Sequence, residues 1–192
     1  MAKKLLKIFY FLACEGHTEY VIFSYLTRNR FREEFLKSNI KFRDNINIIR
    51  DPTTIISNGK MGGVGDETNF KSKYNIIKEE YKDEKFFFFL DKDLEDSLKI
   101  KTIIKEGGDI VQFIEPNSEC LLLKLSGCNL KKPKDFKDLK SFRDYSKKEF
   151  FKKFSKKANM INDLDLDNIF GSITDKDIRE IFKELFSVLN ER

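Results

Sequence analysis

Five consecutive apolar residues, Phe86-Phe87-Phe88-Phe89-Leu90, run directly into Asp91-Lys92-Asp93. Side chains of a strand alternate between its two faces, so such a run has no polar face to offer to water. It therefore reads as a central strand covered on both sides, as in parallel sheets whose crossover helices lie on both faces. Residues 4–13, Lys-Leu-Leu-Lys-Ile-Phe-Tyr-Phe-Leu-Ala, are β-prone and mostly apolar on both faces as well. Further strands are expected at residues 46–49, closed by Asp51-Pro52, and at residues 110–114.

The segments between these strands have helical spacing. Val21, Ile22, Tyr25 and Leu26 follow the first strand, and Tyr74, Ile76, Ile77 and Tyr81 precede the Phe run. A short helix over residues 98–104 stops at Gly107-Gly108. Pro116-Asn117-Ser118-Glu119 opens a Leu-rich helix. Thr174, with Asp177 three residues on, starts a last helix whose apolar face runs from Ile178 to Leu189. Residues 57–68 hold Gly59, Gly62, Gly63 and Gly65 and read as loop. Alternating strands and helices predict an α/β fold: a parallel four-stranded sheet in the order 2-1-3-4, flanked by helices, over residues 1–125. Residues 126–192 are expected to form a helical, Lys-rich extension packed on it.

Composition narrows the class. Of 192 residues, 40% are hydrophobic, 14% aromatic and 36% charged, which describes a chain with a packed core rather than a disordered one. No apolar run reaches the ~18–20 residues needed to span a membrane. Lys7 interrupts the apolar start, and Glu15 to Glu19 stands where a cleavage site would need small residues. Cys14, Cys120 and Cys128 are scattered, without a CxxC pair. These features point to a cytoplasmic protein. The net charge of +5 conceals a polarity: residues 131–157 carry 12 Lys and Arg against 4 Asp and Glu, and residues 158–192 carry 4 against 8. Lys147, Lys148, Lys152, Lys153, Lys156 and Lys157 are interleaved with Phe150, Phe151 and Phe154. The pattern fits a surface that follows a phosphate backbone. It equally fits an amphipathic helix whose phenylalanines face the core, and the two are compatible.

Acidic residues stand at the carboxyl ends of two strands, where open α/β sheets bind their ligands. Glu15 follows the first strand, and Asp91 and Asp93 follow the Phe run. In a 2-1-3-4 order these strands are neighbours, so three carboxylates are expected to converge. Close like charges resist ionisation unless a cation joins them, and hard oxygen donors favour Mg²⁺ or Mn²⁺. Glu19 and Glu119 are secondary candidates, and Lys60, in the Gly-rich loop, could neutralise a phosphate. Asp96 could join the aspartates or cap a helix, Lys92 is expected to point away from them, and Cys14 is expected to be a small buried residue. His17 is expected to face solvent in the first helical turn, and Thr18 to cap that helix.

Together, strand–Cys14-Glu15-Gly16-His17-Thr18-Glu19–helix and strand–Asp91-Lys92-Asp93 resemble the Toprim domain over roughly residues 5–125. The Glu-Gly-X-Thr-Glu variant looks most like RloB-type and OLD-type Toprim proteins. Asn117-Ser118-Glu119 before Cys120-Leu-Leu-Leu is a weaker match to the same group. The resemblance implies a metal-dependent nuclease acting on DNA or RNA in antiphage defence. In it, Asp91 and Asp93 would bind Mg²⁺ and Glu15 would be a ligand or general acid/base. Gly59-Lys60-Met61-Gly62-Gly63-Val64-Gly65 lacks the Gly-Lys-Ser/Thr ending of a Walker A loop. An ABC-type ATPase, which the resemblance also implies, would be a separate chain. Two other readings remain: a non-catalytic Toprim-fold nucleic-acid-binding or regulatory subunit, and a phosphate-transfer protein of the receiver or phosphatase kind, which Glu15 suits poorly.

Overall fold

In the computed structural model, which describes residues 7–50, 53–92 and 96–190, the Phe run lies in the middle of the sheet. The chain begins β1 (Ile8–Cys14), α1 (His17–Ser24), a π-helical turn (Tyr25–Arg30), α2 (Arg32–Lys37) and β2 (Ile40–Arg43). A hairpin of β3 (Asn47–Arg50) and β4 (Thr53–Ser57) follows, then α3 (Glu67–Glu80), β5 (Lys85–Asp91), α4 (Ser97–Glu106), β6 (Ile110–Ile114) and α5 (Ser118–Leu125). The rest is helical: α6 (Leu139–Phe154), α7 (Asp163–Phe170), α8 (Asp175–Ile181) and α9 (Lys183–Ser187). The four main strands are parallel, in the order β2-β1-β5-β6.

The two all-apolar strands have opposite faces buried in different layers. Tyr10, Leu12 and Cys14 of β1, with Phe87 and Phe89 of β5, face α1, α5 and the C-terminal helices. Phe11 and Ala13, with Phe86, Phe88 and Leu90, face the hairpin, α3 and α4. Residues from Phe150 to Val188 belong to the first cluster, so the C-terminal helices are the cover of one sheet face. The nearly parallel rings of Phe89 and Phe182, with centroids 5.9 Å apart, mark that contact.

Three expectations need correcting. The partner of β1 on its outer side is β2, not residues 46–49, which overlap the antiparallel hairpin. An edge strand needs only one apolar face: Ile40 is buried and Phe42 half-buried, while Lys41 and Arg43 turn away, so the strand has no continuous apolar run to mark it. Asp51 and Pro52 lie outside the described residues. The last helix is not continuous but breaks at Phe182. There the Gln112 side chain, from β6, accepts from the amides of Glu184 (3.0 Å) and Leu185 (3.4 Å) and donates to the carbonyl of Ile181 (3.3 Å). A side chain distant in sequence thus satisfies the backbone groups exposed by the break. Finally, Thr18 is not a cap. Gly16 holds the N-cap position of α1 without a side-chain bond, and Thr18 is buried as the second residue of the helix. Among the described residues no helix is long and apolar enough to cross a membrane.

Candidate active site

The carboxyl ends of β1 and β5 lie side by side, with Cys14 opposite Phe89 and the Glu15 amide donating to the Phe89 carbonyl at 3.1 Å. Glu15 turns toward the next strand: its Oε2 accepts from the backbone amide of Asp91 at 3.2 Å. Gly16 then starts α1 in an extended conformation. A Cβ at this position would sit 2.9 Å from Glu19 Oε2, so the missing side chain gives the Glu19 carboxylate its place. Glu19 is itself buried, at 6% exposure.

The N-terminus of α5 arrives from the other side. Asn117 caps it, accepting from the Cys120 amide at 2.9 Å, and thereby orients Ser118. The Ser118 amide donates to Asp91 Oδ1 at 3.0 Å. The Ser118 hydroxyl lies 2.7 Å from the same Asp91 oxygen and 2.5 Å from Glu19 Oε1. One hydroxyl carries one proton. It donates that proton to one carboxylate or shares it between the two. The side-chain oxygens of Glu19, Asp91 and Ser118 are donors of the hard kind that Mg²⁺ or Mn²⁺ prefers. The carboxylates are joined through Ser118 and the Asp91 amide, and among the described residues no three His, Cys, Asp or Glu side chains form a group able to hold a metal ion. Asp93 lies outside the described residues.

The Gly-rich loop borders the site. Its residues Gly59 to Met61 join the end of β1, with the Cys14 amide donating to the Gly59 carbonyl (2.7 Å) and the Met61 amide to the Cys14 carbonyl (2.8 Å). Lys60 of this loop lies over the ring of Tyr20, 4.9 Å from its centroid. The lysine that organises the loop is Lys73 of α3, whose ammonium donates to the carbonyls of Met61 (3.2 Å), Gly62 (2.7 Å) and Gly63 (3.0 Å). Burial lowers its pKa, and the nearby charge of Glu15 only partly offsets that. Sequence reasoning missed Lys73 and assigned no role to Ser118. The signal for Lys73 was a lysine beside the buried stripe of Phe70, Tyr74 and Ile77.

The other residues singled out have ordinary surroundings. His17 is exposed and Cys14 fully buried. Lys92 is drawn off to Glu115 at 2.8 Å, and Asp96 accepts from the Glu67 amide and pairs with Lys99. Glu119 is half-buried and, with Thr18, lines a cavity of about 650 Å³ whose lining also includes Lys147, Lys148 and Lys157. The remaining lysines of that block are elsewhere. Lys152 lies 4.0 Å from Glu149, Lys153 lines a separate hollow with Phe154 and Ile169, and Lys156 is held by both carboxylate oxygens of Asp165 at 2.7 and 2.9 Å.

The Asp165 pair has a pH signature. Burial pushes the carboxyl up, but the bonds from Lys156 and the Asn162 amide outweigh it and hold the pKa below its ordinary value. A lowered folded-state pKa contributes stability above the unfolded value of about 3.9, and that contribution disappears as pH falls through the folded value. Thermal melts below about pH 4 should therefore show the wild type losing more stability per pH unit than Asp165→Asn, with parallel curves at neutral pH. Parallel curves in acid as well would contradict this assignment.

Compared with known proteins, the chain matches no family model, no curated protein and no solved structure.

Proposed function

We propose that the protein is a metal-dependent phosphodiesterase of the Toprim kind, acting on DNA or RNA. The observation that supports this reading best is the Ser118 hydroxyl lying between the carboxylates of Glu19, in α1, and Asp91, at the end of β5, a concentration of oxygen donors that a bound cation would stabilise. Asp91 and Glu19 would hold Mg²⁺ or Mn²⁺, with Asp93 following Asp91 in the sequence. A bound cation would polarise the scissile phosphate and lower the pKa of an attacking water. Glu15, fixed by the Asp91 amide, would serve as a further ligand or take up a proton. Ser118 would set the orientation of the Asp91 carboxylate, and Lys73 would hold the Gly-rich loop against the substrate's path.

The basic wall formed by Lys147, Lys148 and Lys157 supports nucleic acid as substrate, held through its backbone. The resemblance to RloB-type and OLD-type proteins extends the proposal to a cytoplasmic role in bacterial antiphage defence with a separate ABC-type ATPase. The direct test incubates the purified protein with plasmid, single-stranded DNA and transfer RNA, each with Mg²⁺, Mn²⁺ or EDTA. Cleavage in the metal arms and none in EDTA is the expected result. Binding without cleavage in every arm would transfer the reading to a non-catalytic nucleic-acid-binding subunit, which the basic wall supports by itself.

A further inference from the structure

Helix α6 divides its aromatic residues between two environments. Phe150 is buried and packs on Phe154, their centroids 4.6 Å apart, as part of the core that covers the sheet. Phe151, one residue on, is 57% exposed and, like Phe150, lines a cavity. Lys147 and Lys148 precede Phe151 by four and three residues, which puts all three side chains on one face of the helix. With Lys157 they line this cavity of about 650 Å³, whose lining also includes Thr18 and Glu119, the chain neighbours of Glu19 and Ser118. That volume lies within the roughly 300–1,000 Å³ of pockets that enclose a small ligand.

We infer that this cavity takes one unpaired nucleotide of a single-stranded nucleic acid, its base stacked on Phe151 and its flanking phosphates held by Lys147, Lys148 and Lys157. The inference deepens the nuclease reading and rests on it for the direction of the strand, which would run from the cavity past Glu119 to Ser118 and Asp91. Cationic side chains alone would hold any phosphate backbone. The exposed ring among them selects for an accessible base face, which a paired and stacked duplex withholds unless it pays to unstack. Contact through stacking and phosphates reads no base edge, so weak sequence preference is expected, with the DNA and RNA forms of one oligonucleotide both bound.

The chain contains no tryptophan, so Phe151→Trp introduces a single reporter at the proposed contact. In EDTA, a single-stranded oligonucleotide of about a dozen residues should quench its emission, and the matching duplex should not. Measured by anisotropy with a labelled strand, Phe151→Ala should weaken single-strand binding roughly 5- to 150-fold, the equivalent of one lost base–aromatic stack. Phe151→Trp should restore it. The logarithm of affinity should fall with log salt at a slope of about −1.4 for the two flanking phosphates on a single strand. Charge reversal of Lys147, Lys148 and Lys157 together should remove most of that slope. Equal duplex and single-strand affinity, or unchanged binding by Phe151→Ala, would overturn the inference even if metal-dependent cleavage is found. Quenching and Phe151-dependent binding without cleavage under any metal condition would uphold the cavity and reject the nuclease reading.

Discussion

Glu15→Gln is expected to lower metal-dependent cleavage strongly while the fold is retained, by roughly 10²–10⁴-fold if the group lost is one that handles a proton. The amide keeps the shape of the carboxylate and can still accept from the Asp91 amide through its oxygen, so the contact between β1 and β5 survives. It loses charge and basicity. The same variant distinguishes two roles. If Glu15 is chiefly a ligand, Mg²⁺ affinity measured by calorimetry should fall together with the single-turnover rate, and excess Mn²⁺ should restore part of the rate. If Glu15 chiefly moves a proton, affinity should stay within a few fold while turnover falls. The ligand role is the expected one, because Glu15 accepts from the Asp91 amide at the end of the neighbouring strand, where carboxylates brought close favour a cation. Unchanged affinity with normal cleavage would remove Glu15 from the site.

For Asp91 the choice of substitution matters. Asp91→Ala takes away the acceptor of both the amide and the hydroxyl of Ser118, at the start of α5. It should cost about 0.5–2 kcal/mol, as loss of a helix cap does, besides abolishing cleavage. Asp91→Asn keeps an oxygen for Ser118 and removes a negative charge beside Glu19. It should abolish cleavage with little change in melting temperature. A large loss of stability in Asp91→Asn would show that the carboxylate is structural.

The largest expected effect on stability is that of Phe182→Ala, about 3–5 kcal/mol. Its ring is fully buried, nearly parallel to Phe89 at 5.9 Å and 6.3 Å from Phe170, and so joins the C-terminal helices to the central strand. Against a typical domain stability of about 5–15 kcal/mol this is a large fraction. Urea titration should show one transition with a lower midpoint and an unchanged slope. A loss below about 1 kcal/mol, or two separate transitions in the wild type, would mean that the helices beyond residue 125 do not hold the sheet.

The parts of the fold legible in the sequence are those where chemistry is local. A run as short as Phe86 to Leu90, bounded by charged residues, suits a strand covered on both faces, and with helical spacing between the strands it makes the parallel sheet and the place of Asp91 at its carboxyl end legible. Thr174 caps α8 as its side chain dictates, accepting from the Asp177 amide at 3.2 Å. The amphipathic residues 40–43 were harder to read, because half-burial leaves a weaker signal than full burial. The break at Phe182 was illegible, since its cause is Gln112, some 70 residues away in the chain.

The candidate site divides along the same line. Glu15, Glu19 and Asp91 could be picked out because strand ends and a glycine turn mark them along the chain, and carboxylates at such ends have a limited range of uses. Nothing along the chain indicates that Ser118 would reach Asp91 and Glu19, that Lys73 rather than Lys60 would hold the Gly-rich loop, or that Lys156 would be taken up by Asp165. These pairings join residues of different elements, and crossover topology and helix packing decide which elements meet. Phe151 illustrates the difference at the scale of one residue. Its spacing with Phe150 and Phe154 is helical, which local sequence determines, but which of the three turns away from the core depends on the side from which α6 meets the sheet.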